Sequence, residues 1–217
     1  MSDEDRKLQE ISDDFTGRVA AEHVATVAEF GPERCERWRQ MARDATTAAM
    51  EGRPYMDPWL VIRKEMARVR AGKGLTLALD IEGTLIVSAG WPWSRPGLHE
   101  FFSWARDAFG RVVFYTSVPP DQVRQALEFL VSRGEAPAWV LGLEVWNPLP
   151  DDPGQKDLAR LGDPARIYLV DDFEGYAVPA QRNRLVTVGN FDGDPKDCEL
   201  ARVREVLERR LGGREEW

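Results

Sequence analysis

The sequence predicts an α/β protein: a parallel β-sheet with helices on both faces, preceded by an α-helical N-terminal segment. Three observations predict it. From residue 75 onward, short and almost unbroken apolar runs recur, as the buried strands of a parallel sheet do. Helix-length amphipathic stretches separate them. Several of the runs end on acidic or hydroxyl residues, and in open α/β sheets the ligand sits just past the carboxyl ends of the strands.

The composition bounds the reading. The chain has 217 residues, room for one domain and an appendage. Its 43% hydrophobic and 30% charged content is globular. A net charge of −8 argues against a nucleic-acid partner. No apolar run is long enough for a membrane span. The opening MSDEDRKLQEISDD has no apolar segment of the secretory kind, so a cytoplasmic location is expected. The two cysteines, Cys35 and Cys198, show no pairing motif and read as thiols of a reducing compartment. The two histidines, His23 and His99, exclude a multi-histidine zinc site and turn attention to carboxylates.

Taken in order, residues 1 to about 16 are polar and acidic and are expected to fray. Residues 18–71 read as helical. Cys35, Trp38, Met41, Ala42 and Ala45 recur on one helical face, as do Trp59, Ile62, Met66 and Val69. Gly31-Pro32 and Arg53-Pro54 punctuate these helices. The stretch Ala71-Gly72-Lys73-Gly74 is a hinge, dividing a helical segment, 1–72, from a second domain, 73–217. Strands are expected near 75–80, 111–116, 138–145, 166–171 and 184–188. Helices are expected near 97–109, 120–133, 155–161 and 195–211, with Pro96 and Pro120 where a first turn tolerates proline.

The strand ends carry the chemistry. LTLALDIEGTLIV ends its apolar run on Asp80, with Glu82 two residues later and Gly83-Thr84 turning the chain. RVVFYTS ends on Thr116 and Ser117, and ARIYLVDD on Asp171 and Asp172. GQKDLARLG places Lys156 at the start of a short predicted helix just upstream. Singly, these are an acidic turn, a hydroxyl turn, an N-cap and a solvated lysine. Converging at one sheet edge, they suit a hard divalent cation and a phosphoryl group.

The set resembles the haloacid dehalogenase (HAD) superfamily of phosphotransferases, whose core is a HAD-like (Rossmannoid) sheet. Within it, RPGLHEFFSWARDAFGRVVFYTS and QKDLARLGDPARIYLVDD resemble the NLI-interacting-factor group of small C-terminal-domain phosphatases. The likeness covers roughly residues 75–210 and says nothing of residues 1–70. It implies a phosphatase in which Asp80 is the nucleophile that becomes an aspartyl phosphate. Glu82 is then the acid/base, its backbone carbonyl also on the metal. Thr116, with Ser117 beside it, holds the transferring phosphoryl group, and Lys156 neutralises nucleophile and phosphate. Asp172 is a second side-chain ligand of Mg2+, with Asp171 as ligand or support. The implied substrate is a phosphoprotein or a small phosphate monoester.

Two departures stand out. Most relatives carry Asp where this chain has Glu82, although the methionine-salvage enolase-phosphatase shows the same D-x-E-G-T form. The relatives' β-hairpin insert is expected to be missing, with GWPWSRPG in its place; Trp91 and Trp93 there suit either core packing or a substrate entrance. Neither 85–115 nor 118–155 can hold an inserted cap domain, so the core is expected to be open unless the N-terminal helices fold over it. Those helices are also candidates for a homodimer or partner surface. A non-catalytic HAD-fold binding module is the alternative function. A signalling receiver domain fails because its acid pair comes first in the chain and its lysine last. A dehalogenase would leave Asp171-Asp172 unexplained.

Overall fold

The computed structural model describes residues 29–54, 72–148 and 154–212, together with residues 56, 58, 61, 62, 65, 66 and 69. The acidic N-terminus, His23 and Trp59 lie outside the described residues. The chain divides into two compact units, Met1–Met66 and Ala67–Trp217.

In the first unit, helix α1 (Pro32–Met50) starts on a proline, which the first turn tolerates, after Gly31 at φ 84°. Phe30, Cys35 and Trp38 are buried. Met41, expected on the same face, is exposed, so the buried stripe is narrower than its spacing suggests. Glu65 ties the unit together: its carboxylate accepts from Trp38 Nε1 at 2.7 Å and pairs with Arg34 Nε at 3.2 Å.

The second unit is built on five parallel strands. They are β1 (Thr76–Leu79), β4 (Arg111–Tyr115), β5 (Glu144–Trp146), β6 (Ile167–Asp171) and β7 (Leu185–Thr187), in spatial order β5-β4-β1-β6-β7. β1 is central, with Leu79 opposite Phe114 on one side and Val170 on the other. Period-two alternation splits each strand between two cores. On one face, Leu77, Leu79, Phe114 and Val170 meet three α-helices: α2 (Leu98–Ala108), α3 (Pro120–Ser132) and α4 (Glu199–Leu211). On the other, Ala78, Val113, Tyr115 and Leu169 meet Leu158, Leu161 and Ala177, which belong to short 3-10 turns and loops. No described helix is long and apolar enough to cross a membrane.

Four segments differ from expectation. Residues 138–142 form a 3-10 helix and only 144–146 pair as a strand, with Pro137 opening the 3-10 turn and Gly142 breaking the run. Lys156 does not start a helix. It sits in a single β-bridge with Ala177, and Asp157 accepts from the Ala159 amide at 2.9 Å, a local bond that competes with α-helix. Asp197 does the same to the Glu199 amide, so the last helix begins at Glu199. The hairpin expected to be missing is present in short form: β2 (Ile86–Ser88) pairs antiparallel with β3 (Trp91–Ser94). Trp91 and Trp93 are 61% and 56% exposed, edge to face at 5.9 Å, so they are not core residues.

Candidate active site

Asp80 follows β1 directly. Its amide donates to Val170 O at 3.0 Å, continuing the ladder and fixing the carboxylate at the sheet edge. The turn behind it needs Gly83 twice over. Its φ is 70°, and a Cβ there would lie 2.5 Å from both Asp172 Oδ2 and Asn190 Oδ1. Thr84, fully buried, has its hydroxyl 3.3 Å from Asp80 Oδ2 and 3.1 Å from Asp172 Oδ1, and accepts from the Asp172 amide at 3.1 Å. One hydroxyl thus joins the ends of β1 and β6.

Lys156 is 1% exposed. Its Nζ donates to Asp80 Oδ1 and to Asp171 Oδ2, each at 2.6 Å, and lies 5.2 Å from the centre of the Tyr176 ring. The amide of Lys156 donates to Tyr176 O at 2.6 Å, so the isolated bridge with Ala177 sets where the ammonium emerges. Both oxygens of Asp171 are engaged, the second accepting from the Phe173 amide at 2.9 Å. Burial pushes the Asp171 carboxyl up to about 6, with Lys156 pulling it back and Asp80 adding to the rise. Burial also raises Asp172, against the Thr84 hydrogen bond.

Oxygens of Asp80, Asp171 and Asp172 all lie within 4.8 Å of one another. Three hard oxygen donors around one ammonium leave negative charge uncompensated in a buried place, a donor set that fits a divalent cation. Glu82 is exposed, and its Oε1 accepts from the Ala89 amide at 2.6 Å, so its carboxylate is held by the hairpin turn outside that cluster. Thr116 is fully buried just past β4; its Oγ1 accepts from the Val118 amide at 3.3 Å. Ser117 beside it is exposed.

Two residues that the sequence reading passed over shape this edge. Asn147 Nδ2 donates to Thr116 O at 2.7 Å and to Val118 O at 2.8 Å, pinning the turn after β4. Arg95 is 1% exposed and clamps three segments. It donates to Thr84 O at 2.8 Å and to Gly189 O, and pairs with Asp197 at 3.3 Å, while its guanidinium stacks over Phe191. The only sequence signal for either is position, just beyond a strand.

The family model for NLI interacting factor-like phosphatases matches residues 75–216, which span the whole sheet and every residue of this edge. Among curated proteins, none matches the chain.

Proposed function

Because the chain belongs to the NLI interacting factor-like phosphatases, we propose that it hydrolyses phosphate monoesters with Mg2+, by way of a phosphoryl group carried on Asp80. The observation that carries this reading is the buried ammonium of Lys156, whose Nζ lies at 2.6 Å from both Asp80 and Asp171. Phosphoryl transfer needs positioning and charge neutralisation above all, and that pairing supplies both.

In this reading Asp80 attacks phosphorus and the ester oxygen leaves, taking a proton from Glu82. Water then attacks phosphorus of the carboxyl phosphate, giving its proton to Glu82, and inorganic phosphate and free Asp80 result. Thr116 and Ser117 hold the phosphoryl oxygens. Asp80, Asp172, the Glu82 carbonyl and Asp171 would hold magnesium, which supplies charge neutralisation at the transferring group. With both its oxygens already engaged, Asp171 serves chiefly to hold Lys156 in place. Glu82 reaches its acid/base position by exchanging the Ala89 amide for the substrate. The substrate is a phosphoprotein or a small monoester, and the setting is cytoplasmic, a reading supported by a sequence with two cysteines and no pairing motif.

The test is hydrolysis of an aryl phosphate with magnesium present. Excess chelator and Asp80→Asn should each remove turnover by about a thousandfold or more. Undiminished hydrolysis in chelator refutes the mechanism. The second reading is a non-catalytic binding module, and the engaged Glu82 carboxylate is the observation in its favour. The Glu82→Gln variant separates the two. With an activated aryl phosphate, a catalyst should accumulate protein heavier by one phosphoryl group, visible by intact mass, whereas a binding module stays unmodified.

A further inference from the structure

Phe173 follows the acid pair immediately and is 58% exposed. A lone exposed apolar side chain ordinarily needs no explanation. This one is held in place. Its amide is bonded to Asp171 Oδ1 at 2.9 Å. Its ring meets Tyr176 edge to face, centroids 5.0 Å apart at 77°. Beneath it is Gly175, where a Cβ would fall 2.5 Å from the ring, so the ring rests on bare backbone. Tyr176 in turn lies over the Lys156 ammonium. A fixed aromatic ring with an open surface therefore stands one ring away from the group that meets the phosphate.

We propose that Phe173 and Tyr176 form an aromatic shelf for the body of the substrate, so that the enzyme prefers phosphate esters whose alcohol carries an aromatic ring close to the ester oxygen. Phe173 sets specificity and takes no part in the chemistry. An aromatic pair adds attraction beyond area alone, and at the mouth of the site that attraction falls on the leaving group rather than on the phosphoryl group.

The inference rests on the phosphatase reading, and the experiment separates the two. 2-Phenylethyl phosphate and propyl phosphate are primary alkyl esters of similar leaving-group basicity, differing in the ring. With magnesium present, the full chain should favour the phenyl ester by about fivefold in kcat/KM. In Phe173→Ala the ratio should fall to about one with propyl phosphate turnover unchanged, while Phe173→Trp should keep the preference. Gly175→Ala, which displaces the ring without removing it, should also lower the ratio. A ratio near one in the unaltered protein, or an unchanged ratio in Phe173→Ala, overturns the shelf. The matching phosphonates, which cannot be hydrolysed, give the same ratio by calorimetry. Absent hydrolysis with that affinity ratio intact removes the catalytic reading and keeps the shelf. Hydrolysis of both esters without preference does the reverse.

Discussion

The two faces of the sheet do different work. The face under α2, α3 and α4 is filled by large apolar side chains such as Phe102, Leu130 and Leu207. An α-helix satisfies most of its own backbone, so this layer asks little of side-chain polar groups. The opposite face is covered by short 3-10 turns and loops, whose backbone must find partners elsewhere. Side chains provide them: Gln181 accepts from the Leu158 amide at 2.9 Å, and Arg160 donates to Asn147 O at 2.7 Å. Each such bond fixes a loop position individually, which is how Lys156, Phe173 and Tyr176 come to defined places without an α-helix under them. The helical layer fixes where the strands end, and the irregular layer fixes what meets them there.

The largest effect should come from the irregular face. Lys156→Met leaves Asp80 and Asp171 buried without their ammonium. It should cost about 3–5 kcal/mol in chemical denaturation and, in the protein that remains folded, at least about a hundredfold in turnover. On the helical face, Phe102→Ala opens a cavity in a fully buried position. It should cost about 3–5 kcal/mol while leaving the turnover of folded protein within about twofold, because its ring packs on Phe114 and Trp139 and supplies no group to the site. A large loss of turnover in Phe102→Ala would erase the contrast. The smallest effect lies at the sheet's edge, where Glu144 makes two bonds to Arg111, at 2.7 and 3.0 Å. These bonds, with one from Trp146, hold the Glu144 carboxyl below its ordinary 4.5. The stabilisation is thus present above that value and lost as pH falls through the lowered one. Glu144→Gln should cost only about 0.5 kcal/mol at neutral pH, since the pair is half exposed, and melting curves of the two proteins should converge in acid.

Much of this was legible before the structure. Asp80, Asp171 and Asp172 could be placed because each ends an apolar run, and a parallel sheet brings such ends to one edge. The sequence brings Lys156 to the same edge as the acids but predicts it in a helix, because the Asp157 side chain's bond to its own neighbourhood leaves no periodic trace. For Arg95 the sequence offers position alone. Its burial depends on carbonyls and a carboxylate contributed by Thr84, Gly189 and Asp197, a partnership visible only after folding. The orientation of Glu82 is a matter of rotamer and of one amide, Ala89, on a hairpin that its short length concealed.

That hairpin has a closed base. The Arg95 amide donates to Leu85 O at 2.9 Å while its guanidinium grips Thr84 O at 2.8 Å. The chain leaves the core after Leu85 and returns at Arg95 through what amounts to a socket. The first hairpin strand also reaches into the turn behind Asp80, where the Gly83 amide donates to Ile86 O at 2.8 Å, and the tip reaches back to Glu82 through the Ala89 amide. A change of length or composition between Ser88 and Trp91 therefore acts on the Glu82 carboxylate through the Ala89 amide, while the Arg95 clamp at the base stays in place.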